Sequence, residues 1–275
     1  MSQERISILI TNFNKEKFLE ECILSCLKQN YENLEIIIID NLSTDDSLNI
    51  IQKYSSKLTI KTKNRNSIYG PKNQIDSLVE AFNISNGEII LLLDSDDYIL
   101  ANKVSKIKNI LNNNSNLDVI FDAPFVSTKS GTKVLKLKKK INDKIWPTTV
   151  PTSGISFRRA FFEYCLKSNL FQDYPVLEID FRINFFAQKI LNNHKIINEN
   201  LSFYRKTNNG VMSQIKFLSH KWWIKRLYAH YFINDLYVKY KIPYNKGYDF
   251  YLTKFLVYLL NNKAGVNRAG WLQLF

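Results

Sequence analysis

Apolar residues recur along this chain in two alternating periods. Short apolar runs at 6–11, 34–39, 58–61 and 89–93 have the length of buried strands. Between them the spacing turns helical. Residues 15–29 carry Phe18, Leu19, Cys22, Ile23, Cys26 and Leu27 on one stripe, 43–54 open on Ser43 and Thr44, and 72–85 close on Asn86-Gly87. The continuous run 89–93 is the pattern of a central parallel strand, covered on both faces. Such alternation predicts βαβ units with right-handed crossovers and helices on both faces of a sheet. Ligands of these sheets bind beyond the carboxyl ends of the strands. That rule gathers residues 11–14, Asp40 with Asn41, and residues 94–97 from three separate places in the sequence.

Beyond residue 113 the pattern loosens. Residues 118–126, 132–137 and 201–205 are expected as strands, with 157–166 and 180–191 as helices. From about 217 onward the chain is expected to be helical, over 221–240 and 248–261, and both stretches are dense in aromatics. The pattern divides the chain into 1–213, with a change of character near residue 100, and a helical extension over 214–275.

Composition narrows the class. At 275 residues with 45% hydrophobic and 23% charged positions, the chain is neither disordered nor fibrous. The net charge of +13 is uneven. Residues 1–100 hold 10 basic against 15 acidic side chains, 101–213 hold 18 against 8, and 214–275 hold 10 against 2. Three cysteines without a CxxC pair exclude a disulfide scaffold and a thiolate zinc site. No apolar run approaches the roughly 20 residues that span a bilayer, and the first residues carry no apolar leader. A cytoplasmic location is expected, with peripheral contact at the inner face of the membrane as its extension.

The sharpest cluster is Asp94-Ser95-Asp96-Asp97, at the end of the buried run. Three carboxylates in four residues repel one another unless a cation neutralises them. Mg²⁺ or Mn²⁺ wants few carboxylates together with water and phosphate oxygens. An acidic turn that caps a helix is the plain alternative.

Three blocks taken together carry a resemblance: residues 7–14 ending in Thr11-Asn12-Phe13-Asn14, residues 39–45 around Asp40-Asn41, and residues 93–97. With Lys72-Asn73, their order and spacing resemble family 2 glycosyltransferases of the GT-A fold, over about residues 5–210. The resemblance implies a Rossmann-like mixed, mainly parallel sheet in a catalytic unit over 1–213, with 1–100 as its nucleotide-binding half and 101–213 as its acceptor half, followed here by the helical extension over 214–275. It also implies inverting transfer of a sugar from a nucleotide-sugar, UDP-sugar favoured, with Mn²⁺ or Mg²⁺ as cofactor.

Residue roles follow from both readings. Thr11 and Asn14 can line the nucleotide pocket, though Thr11 can equally cap a helix. Asp40 can accept a base N–H, or cap the next helix. Lys72 can face the diphosphate or remain solvated. Asp96 resembles the metal ligand, with Asp94 and Ser95 beside it toward the nucleotide. The resemblance also implies a general base at a helix start in the second half. Here 177–181 offers Asp180 first and Glu178 second, since Ile179 stands where the family has its adjacent glutamate. Phe203-Tyr204-Arg205 resembles the family's Tyr-Arg strand, which makes Arg205 a candidate phosphate contact. Residues 206–210 lack the histidine usual there, so no ligand from that position is expected.

The tail around 221–232 joins cations to Trp and Tyr. It can meet an anionic membrane surface, pack on the catalytic unit, or pair copies of the chain in a homo-oligomer. The acceptor implied is a glycan or a lipid-diphosphate-linked hydroxyl in surface polysaccharide or glycoconjugate synthesis. No nucleic-acid motif accompanies the charge. The alternative from another class is a non-catalytic module that binds a nucleotide-sugar or a membrane surface on the same scaffold.

Overall fold

The seven strands of the main sheet lie in the order β10-β6-β9-β4-β1-β2-β3. In chain order they are β1 (Ile6–Asn12), β2 (Leu34–Asp40), β3 (Thr59–Thr62), β4 (Ile89–Asp94), β6 (Val119–Asp122), β9 (Ile155–Arg158) and β10 (His194–Ile197). The computed structural model describes residues 4–128, 131–135, 137, 145–206 and 215–264. β1, β2, β3 and β4 are parallel, as are β6 and β10, while β9 runs antiparallel between β4 and β6. The sheet is therefore mixed and mainly parallel.

Helices cover both faces because the central strands are apolar on both. On one face α1 (Glu16–Leu27), α2 (Ser47–Gln52) and α4 (Lys103–Asn112) bury Leu19, Cys22, Ile23, Ile50, Val104 and Ile107 against Ile8, Ile36 and Leu91. On the other, α3 (Gly70–Ile84), α5 (Arg159–Lys167) and α6 (Ile179–Phe185) pack on Leu9, Ile37, Ile90 and Leu92. All three cysteines are buried and free.

The first hundred residues fold as the periodicity predicts, within a few residues at each boundary. The second half brings three corrections. The expected strand 118–126 is two strands, β6 and β7 (Phe125–Thr128), which belong to different sheets. The chain turns between them at Ala123-Pro124, where proline has no N–H for the ladder. The expected helix 157–166 begins only at Arg159, because Ile155–Arg158 forms β9. Both faces of β9 are covered, so Ile155, Ser156 and Phe157 are all buried and the strand period is erased. Phe157, Phe161 and Phe162 then imitate a helical stripe. The expected helix 180–191 is α6 followed by a π-helical stretch, Phe186–Leu191, which ends at Asn192 with a left-handed φ of 52°.

A second, four-stranded sheet has the order β5-β11-β7-β8, from β5 (Tyr98–Ile99), β7, β8 (Gly131–Val134) and β11 (Ser202–Arg205). The rings of Tyr98, Phe203 and Phe125 stack through it, with centroids 4.2 and 4.6 Å apart. Residues 136 and 138–140 of the expected basic strand, and 207–210 of the loop after β11, lie outside the described residues.

The tail is helical as expected, in α7 (His220–Lys239) and α8 (Tyr248–Ala264). Ala229, Phe232, Ile233, Leu236 and Tyr237 of α7 join the core beneath α6. α8 packs on α7 through Phe250 and Val257 and leaves Tyr248, Tyr251, Phe255 and Tyr258 exposed. Among the described residues no helix is long and apolar enough to cross a membrane.

Candidate active site

Parallel register brings the sequence's scattered blocks together. Thr11 stands opposite both Ile39 and Asp94, and Asn12 opposite Asp40. Asp40 is fully buried at the end of β2. One of its oxygens accepts from Asn12 Nδ2 at 2.7 Å and from the Ser43 hydroxyl at 2.6 Å; the other accepts the Ser43 N–H at 2.9 Å. Asp40 thus shapes the β2–α2 loop and does not cap α2, whose first turn begins at Ser47. Asn14, at φ 52°, accepts the Thr44 N–H at 2.7 Å and joins the β1–α1 loop to the β2–α2 loop. Beyond β3 lies a cavity of about 570 Å³ lined by Lys63, Arg65, Asn66, Ser67, Lys72 and Asp76. The backbone of Lys63 and the side chain of Asn66 tie its wall to Asp40 and Asn41. Lys72 faces it while paired with Asp76 one turn on.

The acidic turn after β4 is held from several sides. The Ser95 N–H reaches the Thr11 carbonyl at 3.3 Å, and Gln74 Nε2 donates to Asp94 Oδ1 at 2.6 Å. Lys15 Nζ lies 2.6 Å from Asp96 Oδ2. Asp97 is fully buried and accepts the Ser153 hydroxyl at 2.6 Å and the Arg205 N–H at 2.8 Å. Burial, with the fields of Asp94 and Asp96, pushes Asp97 well above the ordinary carboxyl range. Burial first, then Asp96 and Asp180, push Asp94 up to about 7.

Asp180 opens α6 on the far side of this turn. Its Oδ1 accepts its neighbour Phe181's N–H at 2.6 Å, a local hydrogen bond at the helix start. Burial, then Glu178, raise it to about 7. The loop before it is pinned by Arg182, a fully buried guanidinium that donates to the carbonyls of Leu170, Leu177, Asp173 and Tyr174. Glu178 is ion-paired with Lys225 of α7. The phenol of Tyr204 reports the convergence: burial and the fields of Asp94, Asp97, Asp180 and Asp96 all raise it. Asp94, Asp96, Asp97 and Asp180 therefore all lie within electrostatic reach of one phenol.

Arg205 closes the acidic turn from outside. Its guanidinium donates to the Asp96 carbonyl at 2.9 Å, pairs with Glu21, and lies 4.6 Å from the Tyr98 ring centroid. Sequence reasoning did not single out Lys15, Gln74 or Ser153. Their side chains are ordinary in the linear pattern, and only the crossing of α1, α3 and the segment before β9 aims them here.

Among the described residues no three His, Cys, Asp or Glu side chains gather as a cation cage. The turn offers two oxygen donors, Asp94 and Asp96, and a lysine ammonium already sits against Asp96. That donor set fits an ion such as Mg²⁺, which takes one or two carboxylates and completes its shell with water and substrate phosphate.

The sequence profile described as glycosyl transferase family 2 matches residues 7–179. The chain belongs to that family. An uncharacterized glycosyltransferase of Nostoc sp. is 26% identical over 217 residues, which cover 73% of this chain and 64% of the relative. TarS of Staphylococcus aureus, a poly(ribitol-phosphate) beta-N-acetylglucosaminyltransferase, is 32% identical over 97 residues, 34% of this chain and 17% of TarS. The crystal structure of TarS 1–349 in complex with UDP-GlcNAc superposes with a TM-score of 0.66 at 18% identity, covering 98% of this chain and 76% of that one. The mannosyltransferase PcManGT of Pyrobaculum calidifontis, solved with GDP-Man and Mn²⁺, gives 0.55 at 14% identity, covering 96% and 74%. The fold is GT-A, as the sequence resemblance implied. The matched segments span less than two thirds of these sequence relatives' own lengths.

Proposed function

We propose that this family 2 protein is an inverting glycosyltransferase. It moves a sugar from a UDP-sugar to a hydroxyl of a glycan or lipid-diphosphate-linked acceptor, on the cytoplasmic side of surface polysaccharide or glycoconjugate synthesis. The convergence of Asp94 and Asp96 with Asp180 at the carboxyl end of the sheet supports this most directly. An alcohol is a poor nucleophile until its proton has somewhere to go. Asp180 takes that proton as the acceptor oxygen attacks the anomeric carbon, and the bond to the diphosphate breaks with its electron pair leaving on the nucleotide. Glu178 is engaged by Lys225, which leaves Asp180 as the base. Asp96, with Asp94 beside it, would hold Mn²⁺ or Mg²⁺, whose charge stabilises the departing diphosphate. Thr11, Asn14, Asp40, Lys72 and Ser95 frame the nucleotide.

A thermal-shift screen of UDP, GDP, dTDP and CDP with and without Mn²⁺ tests the donor side. UDP with Mn²⁺ is expected to raise Tm most. A chain that responds to none of the four overturns the reading.

The basic half meets the acceptor. Residues 214–275 hold 10 basic against 2 acidic side chains, and α8 leaves Tyr248, Tyr251, Phe255 and Tyr258 exposed. Interfacial aromatics with surplus cations suit an anionic membrane face that carries lipid-linked acceptor. Sedimentation with phosphatidylglycerol vesicles is expected at 50 mM salt and to fall several-fold by 500 mM, both on the order of the screening range. Equal sedimentation with neutral vesicles, or salt-independence, removes the electrostatic argument. A homo-oligomer through the same face is read by light scattering.

A further inference from the structure

The segment before β9 touches both halves of the proposed site without contributing a carboxylate. Ser153 lies there, in a single 3₁₀ turn (Thr152–Gly154), and is fully buried. Its hydroxyl accepts the Asp94 N–H at 3.1 Å and donates to Asp97 Oδ2 at 2.6 Å. The direction of the first bond is fixed, because an amide can only donate, which leaves the hydroxyl's one proton for the Asp97 carboxylate. One oxygen thus holds the first and last residues of the acidic turn.

The same residue is anchored from behind. Its carbonyl accepts from Lys103 Nζ at 2.6 Å, and that ammonium also lies 2.6 Å from Asp122 Oδ1. Both side chains of this ion pair have no exposed surface. A buried pair of this kind contributes little to stability over apolar residues of similar size, but it fixes geometry. Asp122 is held in turn by the Ser202 hydroxyl at 2.7 Å. Gly154 permits the close approach: a Cβ there would stand 2.6 Å from the Asp122 carbonyl oxygen. Three residues upstream of Ser153, the Val150 N–H and C=O are both bonded by the Asn184 amide, at 3.2 and 2.8 Å, and that amide also donates to the Asp180 carbonyl at 2.8 Å. The segment 150–153 therefore runs as a strut from the helix of Asp180 to the turn of Asp94–Asp97.

We propose that Ser153 is a positioning residue of the transfer reaction: anchored by Lys103 and Asp122, it sets the acidic turn in register with Asp180 so that Asp94 and Asp96 meet the donor diphosphate and its divalent cation. The inference rests on the glycosyltransferase reading. Outer contacts that orient ligands change metal affinity or activity by about 10–100-fold when removed, and misplacement of about 1 Å costs on the order of 10²-fold in rate.

The test compares wild type with Ser153→Ala, Ser153→Cys and Ser7→Ala. Ser7 is an equally buried serine whose hydroxyl bonds Glu35 near the opposite end of the sheet, so its loss reports structure alone. Two quantities are read: the Mn²⁺ concentration that half-saturates the UDP-dependent rise in Tm, and kcat against donor KM for nucleotide release. Ser153→Ala is expected to raise the half-saturating Mn²⁺ about 10-fold and lower kcat about 10–100-fold, with KM moved less. Ser7→Ala is expected to lower Tm without moving either quantity. Ser153→Cys keeps the volume with a weaker hydrogen-bonding group and is expected to fall between; it decides the matter where the alanine variant does not fold. Wild-type Mn²⁺ dependence and kcat in a folded Ser153 variant overturn the inference and leave the enzyme reading standing. A wild-type protein with no nucleotide response overturns the reading, and the inference with it.

Discussion

Asp180→Asn is expected to lower sugar transfer by about 10²–10⁴-fold, the range general-base catalysis supplies, while UDP still raises Tm. The substitution keeps the shape of the side chain at the start of α6 and removes only its capacity to take a proton. The pH dependence identifies the role more sharply. Burial and Glu178 hold Asp180 at about 7 in the free protein, so the base is ionised above that pH and protonated below it. In the wild type kcat/KM should rise with pH toward about 7 and then level. Asp94 titrates in the same range and feels Asp180, so the two carboxyls give a limb steeper than one proton. In Asp180→Asn the residual limb belongs to Asp94, and it should move to lower pH because one repelling charge is gone. An unchanged profile and rate would remove Asp180 from the mechanism.

The same group sets a stability difference with a definite sign. An aspartate in the unfolded chain titrates near 4. Asp180 stays protonated in the folded protein to about 7. The folded state therefore binds the proton more tightly, and that contribution is lost as pH rises from the unfolded value through the folded one. Asparagine is neutral in both states and escapes the loss. Asp180→Asn should melt several degrees above wild type at pH 8, with the advantage shrinking toward pH 5, as differential scanning calorimetry would read. A gain in stability with a loss in turnover is the signature of a carboxylate kept for chemistry.

The second large effect is expected at Asp96. Asp96→Ala should lower transfer by about 10³-fold and abolish the Mn²⁺-dependent part of the UDP thermal shift, while UDP alone behaves as with wild type. The reason lies in the turn. Asp97 is committed to Ser153 and Arg205, and Asp94 is half-buried and bonded by Gln74. Asp96 is the carboxylate that meets a side-chain cation, the ammonium of Lys15, at 2.6 Å. On the proposed mechanism, removing it would leave the departing diphosphate without its cation, and it leaves Lys15 without this carboxylate. Isothermal titration with Mn²⁺ in the presence of UDP checks the result, and undiminished Mn²⁺ uptake would exclude Asp96 as ligand.

The sequence by itself determined the fold of residues 1–100. Its strands are continuous apolar runs and its helices amphipathic, so each period survives in one dimension. The rule that ligands bind beyond the carboxyl ends groups Thr11, Asp40 and residues 94–97 from the linear pattern alone. The register of β1 with β2 and β4 realises that grouping. Asp180 was legible as an acid opening a helix.

The tertiary structure alone decided the rest. β9 was invisible because a strand inserted between β4 and β6 is buried on both faces and loses its alternation. The division of β6 from β7 depends on which sheet each joins, and that is settled by partners far along the chain. Lys103, a charge expected at a surface, is buried because Asp122 and the Ser153 carbonyl wait for it there. Arg205 holds the Asp96 carbonyl and Glu21, partners more than a hundred positions away in sequence. Local pattern sets the strands and helices of the first hundred residues, since it depends on neighbours in sequence, but it does not reach β9, whose place between β4 and β6 is set by packing. The support beneath a reactive carboxylate is made from residues tens of positions apart, and only packing brings them within hydrogen-bonding distance.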